Sequence, residues 1–139
     1  MNIVIKNTIF FIIGGLGYGI IEILWRGYTH WAMLIAGGLC FIIFSHITER
    51  FQNSSRLYKV LICALCITEV ELVFGIIFNI IFKLKIWDYS RVPFNILGQI
   101  CLPYTFLWGM LSFIIIPLAE ALNRIMNTKL SEKPNFKSP

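Results

Sequence analysis

A chain of 139 residues that is 58% hydrophobic and only 14% charged has too few polar side chains to cover a water-soluble domain of this size. Its net charge of +5 comes from basic residues dispersed along the chain, which excludes the concentrated basic face of a nucleic-acid-binding protein. The composition therefore predicts a single transmembrane helical domain over residues 1–126, surrounded by membrane lipid.

The first predicted span covers residues 3–24 and contains glycines in GxxxG spacing, which lets a neighbouring helix approach closely. Tyr18, Glu22 and Arg26 stand four residues apart and so share one helical face. Glu22 and Arg26 are expected to form an ion pair at the membrane edge.

The second predicted span covers residues 31–48. A short connection with Trp25, Tyr28 and Trp31 precedes it, and these side chains are typical of the membrane interface. His30 belongs to the same connection, and a hydrophilic loop over residues 49–59 follows the span.

The third predicted span, from about residue 60 to 82, carries Glu69 and Glu71 inside an apolar run. An ionisable side chain at that depth costs at least about 2.5 kcal/mol and is usually retained for a partner or a task. Glu71 shares a helical face with Gly75 and Asn79, whereas Glu69 points to the opposite side. We interpret Glu71 as the centre of a functional site.

Residues 87–103 are too polar for a plain span and too apolar for a solvated loop. Asp88 or Ser90 is suited to cap a short helix with Pro93 in its first turns, which would place Asn95 and Gln99 on one face. The sequence thus predicts a short re-entrant or interfacial helix before the fourth span.

The fourth predicted span covers residues 103–123, and a disordered tail is expected over 127–139. Four spans leave both termini on one side, and eight of the 12 Lys and Arg residues fall there. These are Lys6, Arg50, Arg56, Lys59, Arg124, Lys129, Lys133 and Lys137. The positive-inside rule then predicts that both termini and the tail are cytoplasmic.

Most of the polar side chains lie toward the outer half of the predicted bundle, opposite the two termini. We interpret them as an outward-opening polar pocket with Glu71 at its floor, the alternative being solvated loops and hydrogen bonds between helices. The candidate pocket residues are Tyr18, Glu22, Arg26, His30, Glu71, Asn79, Asp88, Tyr89, Ser90, Asn95 and Gln99.

No other chemistry stands out. Cys63, Cys66 and His46 form a weak candidate for a soft metal ion, but apolar packing explains cysteines in such runs better. No GxxxxGK[ST] loop and no hydrolase or transferase constellation is found, so we predict no catalytic residue and no cofactor.

Three stretches of the sequence carry a family resemblance: GGLGYGIIEILWRGYTHWAMLIAGG, EVELVFGIIFN and WDYSRVPFNILGQICLPYTFLWG. They resemble the ABC-transporter type IV, CmpB-like membrane proteins of bacteria over most of residues 10–112. The resemblance implies a permease component in the bacterial plasma (inner) membrane. The family positions that match here are Glu22, Trp25, Arg26, Gly27, Thr29, His30, Trp31, Glu71, Trp87, Asp88, Tyr89, Ser90, Asn95, Gly98 and Gln99.

Three functions remain open at this point. The first is a transporter component for a small polar or cationic solute, working as a homodimer or with a separate ATPase subunit. The second is a membrane-embedded enzyme or a lipid-headgroup-binding protein that uses the same pocket. The third is a structural or accessory subunit whose polar side chains only join helices.

Overall fold

Four long helices make up most of the computed structural model, which describes residues 2–132. They are α1 (Ile3–Arg26), α2 (Trp31–Arg50), α3 (Arg56–Phe74) and α4 (Leu102–Ser131). All four are long and apolar enough to cross a membrane, α3 together with its continuation to Ile81. Many large apolar side chains are exposed on them, as expected of a surface that faces lipid. The predicted all-helical, four-span fold is therefore confirmed.

The connection between α1 and α2 is short because both helix ends are capped locally. Gly27 ends α1 in the left-handed conformation, with φ of 82°, and its N–H donates to the carbonyl of Ile23. The Nδ1 atom of His30 accepts a hydrogen bond of 3.1 Å from the N–H of Ala32 and caps α2. The two helices consequently run antiparallel and side by side.

Helices α1 and α2 approach closely at Gly14 of α1, which has no side chain to hold them apart. A Cβ atom added to Gly14 would lie 2.3 Å from Cβ of Phe41 and 2.7 Å from the carbonyl oxygen of Gly37. Below this contact, Phe10, Phe41 and Ile116 belong to an apolar core to which all four helices contribute. The glycine spacing of the first span thus serves packing within the chain.

Ionic contacts join the helix ends at the side that holds the amino terminus. Lys6 of α1 pairs with Glu49 of α2, which also accepts a hydrogen bond of 3.0 Å from Asn127 of α4. Lys59 of α3 pairs with Glu120 of α4 at 2.5 Å. The start of α1, the end of α2, the start of α3 and the end of α4 therefore lie at one end of the bundle.

Helix α3 continues as a seven-residue π-helix, π1 (Gly75–Ile81). Each residue turns through a smaller angle in this wider helix than in an α-helix. Glu71, Gly75 and Asn79 stand four residues apart and therefore stay closer to one face than a continuous α-helix would keep them. The first residue of π1 has to lack a side chain, since a Cβ atom on Gly75 would lie 2.6 Å from Oε1 of Gln99.

The short helix predicted before α4 is not formed. Residues 87–101 instead follow a series of turns and a minimal antiparallel hairpin of β1 (Asn95–Ile96) and β2 (Ile100–Cys101). Phe94 and Leu97 have φ of 56° and 55°, which a right-handed helix cannot accommodate. The Asn95 side chain bonds to the backbone of the same segment and so competes with helix formation.

Helix α4 ends later than predicted. Residues 127–131, expected to begin the disordered tail, are helical, and Asn127 in this last part of α4 donates a hydrogen bond to Glu49. The remainder of the predicted tail, residues 133–139, lies outside the described residues.

Candidate functional site

Glu71 is buried in α3, with 7% of its surface exposed, and both of its carboxylate oxygens accept hydrogen bonds. The hydroxyl of Tyr89 donates to Oε1 at 2.7 Å, and the indole N–H of Trp108 donates to Oε2 at 3.1 Å. Two donors from two different parts of the chain fix the orientation of the carboxylate. Each oxygen of the Glu71 side chain therefore has one hydrogen-bond partner.

No basic side chain among residues 2–132 forms an ion pair with Glu71. Glu22, the other buried acid of the site, does form an ion pair. It lies 2.7 Å from Arg26, as the sequence predicts. The guanidinium of Arg26 also donates to the carbonyl of Ile86 at 3.2 Å. Glu22 and Arg26 compensate each other, whereas Glu71 is a buried acid without an ion pair among residues 2–132.

Aromatic rings stand around Glu71. Tyr89 stacks on Tyr104 with ring centroids 4.6 Å apart, and Tyr104 and Tyr18 lie 6.2 Å and 6.3 Å from Trp108. Burial raises the pKa of Tyr89 above its ordinary value, and the adjacent carboxylate of Glu71 adds to this effect. The Tyr89 hydroxyl therefore stays protonated and remains a donor.

A cavity of about 430 Å³ lies beside these groups, between α1, α4 and the segment that follows π1. Of the eleven predicted pocket residues, five line it: Tyr18, Glu22, Arg26, Glu71 and Tyr89. Its remaining wall is mainly apolar and aromatic, with Trp25, Met33, Trp87, Tyr104 and Trp108 among the lining residues. We refer to this space as the outer cavity.

Asn79 and Gln99 do not line the outer cavity but contact each other. The side-chain N–H of Asn79 donates to Oε1 of Gln99 at 2.8 Å, and its oxygen accepts from the N–H of Ile86 at 2.7 Å. The carbonyl of Gln99 accepts from the indole of Trp87 at 2.9 Å. This pair attaches residues 86–99 to π1 and acts on the outer cavity only indirectly.

The other predicted pocket residues shape the backbone. The oxygens of Asp88 and Asn95 accept hydrogen bonds from the N–H groups of Ser90 and Gly98 at 2.9 and 3.1 Å. The first of these bonds lowers the pKa of Asp88. His30 is occupied as the cap of α2. None of the four predicted residues His30, Asp88, Ser90 and Asn95 lines the outer cavity.

The weak metal candidate is not assembled. Cys63 is buried, Cys66 is half-buried and His46 is exposed on α2. Within residues 2–132, no three His, Cys, Asp or Glu side chains come together in an arrangement able to hold a metal ion.

The sequence did not identify Trp108 or Tyr104 as members of the site. A signal was present, because the indole N–H of a Trp within a predicted span needs a partner. Trp108 lies in the second turn of α4 and finds that partner in Glu71.

Comparisons with known proteins agree with a multi-pass membrane protein of a transporter family. No curated protein and no solved structure matches the chain. A family sequence profile matches residues 8–135, which is most of the chain. The four apolar helices that run through this range are those expected of a membrane component. The chain therefore belongs to the family described as "Putative ABC-transporter type IV".

Proposed function

We propose that this protein is a membrane component of a transporter and binds a small cationic solute in the outer cavity, with Glu71 at its floor. One observation carries the proposal: Glu71 is a buried acid without a basic partner among the described residues, and it borders a cavity. A cation would supply the missing charge. The rings of Tyr18, Tyr104 and Trp108 suit it as well, since aromatic faces attract cations.

The setting that we propose is the plasma membrane of a bacterium, with both termini cytoplasmic and the outer cavity open to the outside. The excess of Lys and Arg at the end of the bundle that holds Lys6 and Lys59 supports this orientation. The chain has no phosphate-binding loop of its own, so a separate ATPase subunit would supply energy, and a homodimer would enlarge the four-span unit.

The direct test measures binding of tetramethylammonium to the purified full chain in nanodiscs, followed by tryptophan fluorescence and calorimetry. This ion makes no hydrogen bonds, so it reports charge and aromatic attraction alone. We expect Glu71→Gln to weaken binding at least about tenfold, or ~1.4 kcal/mol, because it removes the charge and keeps the shape.

Glu69→Gln is the matched control, since Glu69 lies on the same helix but is exposed and does not line the outer cavity. It should bind tetramethylammonium as the unmodified chain does. Absence of binding to the unmodified chain, or equal binding by Glu71→Gln, would reject the proposal and favour a purely structural function for the polar side chains.

A further inference from the structure

A second, apolar pocket of about 170 Å³ adjoins the outer cavity at Glu71. Its walls come from all four helices and include Gly14, Gly17, Ala36, Cys40, Val70 and Ile115. The two spaces share Tyr18, Met33, Glu71 and Trp108 as lining residues. A molecule with its charge at Glu71 can therefore extend an apolar group from one space into the other.

Two glycines of α1 that line the apolar pocket, Gly14 and Gly17, have different surroundings. A Cβ atom on Gly14 would collide with α2, whereas a Cβ atom on Gly17 would have no other atom within 4 Å. Since no side chain fills this space, packing within the chain does not explain it. The atoms that line this half-open space gain dispersion contacts when an apolar group occupies it.

The size of the pocket limits its occupant. An apolar protein cavity of about 150 Å³ stays dry and takes up benzene, so a pocket of 170 Å³ suits an apolar group of about six carbon atoms. Ile13 and Leu118 line the pocket and are also exposed on the outer surface of the bundle, which provides an entrance from the lipid side.

We propose that the solute is an organic cation with an apolar substituent of about six carbon atoms. Its ammonium group lies beside Glu71 in the outer cavity, and its substituent enters the apolar pocket next to Gly17. This inference rests on the proposed function, and it names the class of solute that the site takes.

The test is a series of alkyltrimethylammonium ions, from tetramethyl- through propyl- and hexyl- to nonyltrimethylammonium, bound to the full chain in nanodiscs made of phosphatidylglycerol. We expect affinity to rise up to about fourfold per added methylene as far as hexyl, since each buried methylene contributes by the hydrophobic effect. Beyond hexyl the rise should stop, because the pocket is full.

Gly17→Leu places a side chain in the apolar pocket and leaves the outer cavity untouched, since Gly17 does not line that cavity. We expect it to remove most of the chain-length dependence while tetramethylammonium still binds within about twofold of the unmodified chain. Gly17→Ala adds one carbon that meets no other atom, so we expect it to fold even if the leucine variant does not, and to reduce the dependence partially. Glu71→Gln should weaken all members of the series by one factor.

The outcomes separate the two proposals. Tetramethylammonium binding without a chain-length dependence, or a dependence equally steep in Gly17→Leu, overturns the inference and leaves the proposed function standing. Failure of every cation to bind overturns both. Hexanol binding as tightly as hexyltrimethylammonium would identify an uncharged occupant such as a lipid chain, and would also overturn the inference.

Discussion

Tyr89 donates the shorter of the two hydrogen bonds to Glu71, and its ring is stacked on Tyr104. We expect Tyr89→Phe to lower the free energy of unfolding by about 1.5–3 kcal/mol, because a buried carboxylate loses a donor while the ring remains. Thermal unfolding in detergent measures the change. Tyr104→Phe is the control, since no hydrogen bond to the Tyr104 hydroxyl is found among the described residues. Equal effects of the two variants would contradict this account.

Burial and contacts that depend only on spacing within one helix were predictable from the sequence. Burial of Glu71 follows from its place on the helical face that also carries Gly75 and Asn79, and the pairing of Glu22 with Arg26 follows from their spacing. Trp108 was not predicted, because its importance depends on a neighbour 37 residues away. Asn79 was predicted to line the pocket on the face of Glu71, but its side chain bonds to Gln99 and Ile86 instead.

At the level of secondary-structure elements, two glycines of α1 differ in their surroundings: Gly14 packs against α2 and Gly17 does not. Gly14→Ala should lower the free energy of unfolding by about 1–3 kcal/mol, since its Cβ atom would overlap Phe41 and force α1 away from α2. Gly17→Ala should be neutral or stabilising by up to about 1 kcal/mol, because its Cβ atom meets nothing and alanine favours a helix. Chemical unfolding of both variants in the same detergent provides the comparison, and the reverse order of stability would exclude this packing.

The segment between π1 and α4 shows where prediction from sequence stops. Pro93 and a capping residue suggested a helix, but Asn95 bonds to its own backbone and four residues that are not glycine have positive φ. Such a conformation is stabilised by long-range contacts, here the bonds from Trp87 to Gln99 and from Tyr89 to Glu71. The local helix propensity of this segment does not depend on those contacts, so it predicts a helix that the structure does not contain.

At the scale of the whole molecule, hydropathy alone was enough to predict the number and order of the spans, because lipid imposes a helix on every crossing. The orientation can be checked with single cysteines at Asn53 and Phe94, both exposed and at opposite ends of the bundle. An impermeant maleimide should label Phe94→Cys in intact cells, and Asn53→Cys only after the membrane is opened. The unmodified chain gives the background from its four native cysteines, and the opposite pattern of labelling would invert the topology.

The wide turn of π1 makes this part of α3 sensitive to a change of its pitch. Each residue of π1 turns through roughly 80°, against roughly 100° in an α-helix. If the same seven residues returned to the ordinary pitch, the backbone after Ile81 would rotate by roughly 140°. Asn79 would then turn away from its two partners, and the segment that carries Tyr89 would lose its attachment. Substitutions that favour an unbroken α-helix over Gly75–Ile81 should accordingly disturb this end of the molecule even where they add no volume.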